Sequence, residues 1–264
     1  MVAFATPLLM LPFVANDTLW RTGLAGSIPS ATCFVIATSF LFAATLRLSE
    51  SLAASAASAA VFALNPNILY LQAVPMTESA FFMALLGSLY FLVRFQQSQS
   101  IGSVVGVACM ALAGTLTRYE GWLLVPLIAG ILFTIARSRA AWTVCVFLAI
   151  AGVGPLGWLA YNWWISGNVL EFYKGPYSPK AIQGGAPYAG QDNWRLAALY
   201  LIKTGKAANG TPLFWLGCAG TIVVIYKRVV WPVVLLAAPS MFIIWSLHSG
   251  GTPIHLPGMP FPDR

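Results

Sequence analysis

Charge is what this sequence has least of. Only 8% of its 264 residues are Asp, Glu, Lys or Arg, against roughly 25% in a soluble domain, which leaves too few charges to coat a water-exposed surface. The four cysteines, Cys33, Cys109, Cys145 and Cys218, each lie inside an apolar run with no close pair and no His beside them. That spacing argues against a disulfide framework and a cysteine-histidine metal centre, and it predicts buried small hydrophobes. The two histidines, His248 and His255, stand seven apart around a Gly-Gly-Thr-Pro turn without a third ligand, so no metal site is expected. Residues 1–14 lack the basic stretch of a signal peptide, contain Pro7 and Pro12, and run into Asn16-Asp17. They are also shorter than the roughly 20 residues of a span, and an interfacial or re-entrant helix is expected there. The net charge of +7 comes with no basic stripe interleaved with aromatics, so nucleic acid is not an expected partner.

What remains is apolar: 59% hydrophobic residues, with a mean hydropathy of +0.78. Such a chain reads as an all-α, polytopic helical membrane protein. About eight transmembrane helices are expected, over residues 24–46, 52–64, 79–95, 101–116, 123–136, 141–163, 212–226 and 229–247. Thr77 is expected to cap the third of these, with Glu78 at the favourable end of its dipole. Asn65-Pro66-Asn67 breaks the return of the second, because Pro66 removes a backbone donor and disfavours helix at Asn65. Gly152, Gly154, Pro155 and Gly157 soften the middle of the sixth. Residues 1–264 read as one transmembrane domain, with an outer-face loop over 164–209 that carries an interfacial helix at 192–206.

Basic residues in short loops favour the cytoplasm. With eight spans, Arg47, Arg94, Arg137, Arg139, Lys227 and Arg228 fall on one side, and the other side's short connections hold Arg118 as their basic residue. The second side, outside the cytoplasm, then gathers 16–21, 65–78, 118–120, the 164–209 loop and the tail from His248. Every unusual polar feature collects on one face, which scattered snorkelling side chains would not do. The centre of that face is Thr115-Leu116-Thr117-Arg118-Tyr119-Glu120-Gly121-Trp122, a charged knot between two apolar runs. Ionisable groups close to hydrocarbon are costly and tend to mark function. Glu78 and Glu120 supply carboxylates for general base or charge-stabilising work. Arg118, Lys174, Arg195 and Lys203 supply cations for phosphate, and Tyr119 a flat platform with a polar edge. On sequence alone two readings of Arg118 stand side by side: it binds a donor phosphate, or it merely pairs with Glu120, an exposed pair of little energetic worth.

Three stretches carry a resemblance. Trp20-Arg21-Thr22-Gly23-Leu24-Ala25-Gly26-Ser27-Ile28-Pro29-Ser30 is the first, and Asn65-Pro66-Asn67-Ile68-Leu69-Tyr70-Leu71-Gln72 with Met76-Thr77-Glu78 is the second. The third is Leu116-Thr117-Arg118-Tyr119-Glu120-Gly121-Trp122. Together they resemble consecutive blocks of bacterial GT-C glycosyltransferases, polytopic enzymes related to protein O-mannosyltransferases and the lipid A aminoarabinose transferase. The similarity covers residues 1 to about 163; beyond that it is one of layout. It implies inverting transfer from a polyprenyl-phosphate-linked sugar to a glycan, lipid or protein acceptor. The reaction would take place at the outer, periplasmic or extracellular face of the inner (plasma) membrane. In that reading Glu78 and Glu120 are the catalytic candidates, and Arg118, Tyr119, Lys174, Arg195 and Lys203 bind substrate. No organic cofactor is implied, and the metal requirement stays open. The family's main catalytic acid lies in a large loop after a first span, ahead of where this sequence starts, and Asp17 does not match it. The chain is therefore expected to be an internal piece of such an enzyme. The alternatives are a transporter or flippase for a lipid-linked substrate and an inactive scaffold.

Overall fold

The computed structural model describes residues 5–176, 178, 181, 188 and 190–251. Every regular element among them is a helix. The chain divides into two compact units, Met1–Pro155 and Leu156–Arg264. In the first unit run α1 (Ala5–Val14), α2 (Asp17–Arg21), α3 (Leu24–Ser49), α4 (Leu52–Ala63), α5 (Pro66–Ala73), α6 (Glu78–Ser98), α7 (Ile101–Thr117), α8 (Glu120–Ile135) and α9 (Ala140–Ala151). Helix α10 (Val153–Ser166) crosses the division, and the second unit continues with α11 (Glu171–Lys174), α12 (Trp194–Asn209), α13 (Thr211–Tyr226) and α14 (Val230–His248).

The apolar helices mark a membrane-embedded protein, with three to six candidate spans among the described residues against about eight expected from the sequence. Among the described residues three helices, α3, α6 and α14, are long and apolar enough to cross a membrane, and counting each bent pair as one span gives up to six. The bent pairs are α4 with α5 (61°), α9 with α10 (42°) and α12 with α13 (116°). Helices α7 and α8 have 17 and 16 residues, or about 25 Å at 1.5 Å per residue, short of a hydrocarbon core of about 30 Å. An apolar run fixes composition but not straightness. Asn65 caps α5 by accepting from Asn67 N, with Pro66 at the first helical position, so the segment after the break is a helix of its own. The expected continuous span over 141–163 is divided at Gly152.

Packing in the first unit follows membrane rules. The buried face of α3 consists of Ala25, Gly26, Pro29, Ser30, Cys33, Ala37 and Ala44, all small or compact residues at helical spacing. Its larger Val35, Ile36 and Leu46 are exposed. Hydrocarbon solvates large aliphatics as well as a protein interior does, so close backbone approach through small residues drives association instead. Helix α6 lies between α3 and α7. Phe40 of α3 meets Tyr90 and Phe91 of α6 at ring centroids of 5.5 and 5.8 Å. Helices α7, α8 and α9 close around the fully buried Leu124, Ile128, Leu132 and Phe147.

One end of this bundle is pinned by polar side chains. Arg47 Nη1 donates to Gln97 Oε1 at 2.9 Å, and Gln97 Nε2 returns a bond to Arg47 O at 3.1 Å. Gln99 donates to Ile135 O at the end of α8 and accepts from Arg137 N at 2.9 Å. The cysteines are free, but only Cys33 is buried, whereas Cys109 and Cys145 are exposed on α7 and α9. The expectation that all four are buried is corrected, because small residues on an outward helix face lie in apolar surroundings without being packed.

Candidate functional site

The opposite end of the first unit gathers the start of α3, the connection from α5 to α6, and the corner from α7 to α8. That corner is short. Arg118 is extended (φ −146°, ψ 151°), its N–H turned back to Gly114 O. Glu120 already opens α8. The tight crossing needs Gly121, since a Cβ there would run into the carbonyl of Gly114. Trp122 Nε1 donates to Thr115 O at 3.3 Å and Thr117 Oγ1 to Gly114 O at 2.8 Å. The Tyr119 ring meets Trp122 edge-on at 5.7 Å.

Arg118 is held between two carboxylates. Its Nη1 lies 2.6 Å from Glu78 Oε1, its Nη2 2.8 Å from Glu120 Oε1, and its Nε donates to the same Glu120 oxygen at 3.1 Å. The side chains of Arg118 and Glu78 are 32% and 28% exposed, that of Glu120 only 11%. The pairing alternative, an exposed Arg118–Glu120 pair, is therefore replaced by a half-buried cluster of three. Burial works against the guanidinium's charge, but the Glu120 and Glu78 carboxylates outweigh it and raise its pKa above the ordinary arginine value.

Each charge also sits at the favourable end of a helix. Glu78 and Glu120 are first residues of α6 and α8, and Arg118 follows the last residue of α7. Thr77 does not cap α6 through its side chain. Its backbone is already helical (φ −79°, ψ −17°), and its hydroxyl lies 3.5 Å from Glu78 Oε2 instead.

A second layer ties this corner to α3, through residues the sequence reading passed over. A Cβ on Gly26 would collide with Pro75, so the α5–α6 connection lies directly on α3. Ser27 Oγ donates to Ala73 O at 2.8 Å, and buried Ser30 sits 3.1 Å from the hydroxyl of buried Ser79. The serines at 27 and 30, three apart near the start of an apolar helix, are the signal that could have singled them out. Residues from all three sequence blocks thus meet at one end of one unit.

The remaining candidates belong to the second unit. Lys174 ends α11, Arg195 and Lys203 lie on α12, and all three are exposed. The interfacial helix expected at 192–206 runs Trp194–Asn209, because Asp192 takes a left-handed backbone (φ 54°) and Asn193 caps the helix by accepting from Leu196 N at 3.0 Å. His248 stacks on Trp194 with ring centroids 4.0 Å apart; His255 lies outside the described residues. Among the described residues no group of three His, Cys, Asp or Glu side chains is arranged to hold a metal.

Fold and site together define a class: a helical membrane-embedded protein with a carboxylate-guanidinium-carboxylate cluster at the junction of three helices. No protein-family model, curated protein or solved structure matches the chain.

Proposed function

We propose that this chain acts as a membrane glycosyltransferase, moving a sugar from a polyprenyl-phosphate carrier to an acceptor at the outer face of the cytoplasmic membrane. The observation that carries the reading is Arg118, fixed between Glu78 and Glu120 where all three resemblance blocks converge. Three of the five guanidinium N–H donors are engaged, which leaves two for a phosphate oxygen. In the reaction the acceptor oxygen forms a bond to the anomeric carbon, and the bond from that carbon to the phosphate oxygen breaks. The electron pair leaves with polyprenyl phosphate, and the acceptor proton passes to a carboxylate. Charge grows on the phosphate as it leaves. A guanidinium already locked in place stabilises that charge without reorganising. Glu78, at the more open edge of the cluster, orients a sugar or acceptor hydroxyl, while the more enclosed Glu120 holds the arginine. Lys174, Arg195 and Lys203 are further cations for the donor in this reading. The transporter alternative calls for ionisable groups near span centres, whereas the first unit's charged side chains lie at or near helix ends.

The test is sugar transfer from polyprenyl-phosphate donors by the protein in proteoliposomes. Arg118→Lys keeps the charge and loses the fork, so transfer is expected to fall at least about tenfold while the protein stays folded. Arg118→Gln and Glu78→Gln are expected to abolish it. Full activity in Arg118→Lys and Glu78→Gln would remove this cluster from catalysis.

A further inference from the structure

The outward face of α12 combines two features that soluble helices keep apart. Its inner side packs Ala197 and Tyr200 against Leu247 and Tyr188, with Ile243 and Ile244 beside them. Turned the other way, at helical spacing, are Leu199 and Ile202, both exposed, interleaved with Arg195, Lys203 and Lys206. The helix contains no Asp or Glu. At Gly210 (φ 76°) the chain turns by 116° into α13, which has no charged residue and exposes Trp215, Leu216, Ile222 and Val223. Lys206 reaches across this elbow, its ammonium 4.7 Å from the Trp215 ring centroid and 5.7 Å from that of Phe214.

We propose that α12 lies in the membrane surface and binds anionic phospholipid, with Leu199 and Ile202 entering the acyl region and Arg195, Lys203 and Lys206 engaging headgroup phosphates. A basic helix with aliphatics between its cations has the chemistry of an interfacial anchor. The elbow fits that placement, since a helix turned well away from an apolar neighbour lies along the interface when the neighbour enters hydrocarbon. Lys206 over Trp215 marks the boundary, because tryptophan and lysine both favour the headgroup level. Three cations and no acid select an anionic surface over a zwitterionic one. Arg195 and Lys203 are shared with the donor-binding role proposed above, and the two readings are told apart by their readouts, immersion of α12 here and sugar transfer there.

A nitroxide on Ile202→Cys tests it, in the whole chain with Cys33, Cys109, Cys145 and Cys218 replaced by Ala. The protein is placed in nanodiscs of phosphatidylcholine, or of phosphatidylcholine with a third replaced by phosphatidylglycerol. In anionic discs the label is expected to be open to oxygen and shielded from a water-soluble nickel chelate. Molar salt should reverse the shielding. Replacing Arg195, Lys203 and Lys206 by Gln should lower the immersed-to-exposed ratio on the order of a hundredfold, about fivefold per cation. The same label on Leu199→Cys should behave alike. A label open to nickel in both kinds of disc overturns the proposal, as does shielding that is equal in neutral discs and in the triple Gln variant. A label closed to both relaxants also overturns it, since a protein surface would then cover the helix.

Discussion

At the scale of single residues, the Arg118–Glu120 half of the cluster was legible because the two are neighbours in a chain almost without charge. Glu78 stands out in the sequence as a carboxylate at a helix start, but not as Arg118's partner. The information was nonetheless present: α6 and α7 are joined by the two residues Gln99 and Ser100, so the start of one helix returns to the end of the other. What the sequence could not supply was burial, which depends on how closely α3, α6 and α8 approach.

Tyr188 shows the same limit in the second unit, since nothing in the sequence sets it apart within the 164–209 loop. Its hydroxyl donates to Leu247 O at 2.9 Å. Burial first, and then Asp192, push its phenol above the ordinary value of 10.0. The folded state therefore favours the protonated phenol, so this stabilisation is complete below about pH 10 and is lost as pH rises through the folded-state pKa. Tyr188→Phe should destabilise the protein by about 1 kcal/mol at neutral pH and flatten the alkaline fall in stability. Thermal unfolding of both proteins between neutral and strongly alkaline pH measures this, and parallel curves would deny Tyr188 the role.

At the scale of elements, the breaks with a chemical marker were readable and the lengths were not. Asn65-Pro66 ended one helix and opened the next as its chemistry requires. Gly152, by composition a softening residue within one span, divides two helices, and the helix expected from Asp192 begins after it. Apolar runs over 101–116 and 123–136 looked like spans, yet nothing in their composition tells a short buried helix from a membrane-crossing one. Within α8 two glycines make the packing argument testable. An added Cβ at Gly121 meets the backbone of α7, whereas at Gly130 it meets nothing within 4 Å. Gly121→Ala should cost roughly 1–3 kcal/mol through overpacking and pull Arg118 out of register with Glu78. Gly130→Ala should be neutral or stabilising by up to about 1 kcal/mol, because alanine loses less backbone freedom in a helix. Melting temperatures in one detergent compare them directly, and equal effects would mean that the α7–α8 corner is not tight.

At the scale of the whole molecule, membrane embedding was the most readable property, because it rests on composition, and the small-inside, large-outside packing of α3 agrees with it. The arrangement of charge in the first unit carries a further consequence. The end holding Arg47, Arg94, Arg137 and Arg139 has Glu50 as its acid, while the cluster end sets Asp17, Glu78 and Glu120 against Arg21 and Arg118. Basic residues near helix ends resist translocation far more than acidic ones promote it. The Arg47 end should therefore face the cytoplasm and the Arg118 cluster the outside, where a translocated lipid-linked donor would be met. Single cysteines in a cysteine-free background read this out in intact cells. Met76→Cys, exposed beside the cluster, should react with a membrane-impermeant maleimide, and Ser138→Cys, between Arg137 and Arg139, should react only after the cells are opened. The reverse pattern would place the cluster in the cytoplasm, where soluble nucleotide-sugar donors are at hand and a polyprenyl-phosphate donor loses its rationale. Labelling of both sites in intact cells would mean that the two ends do not lie on opposite sides of the membrane, and the positive-inside argument would fail with the bundle it assumes.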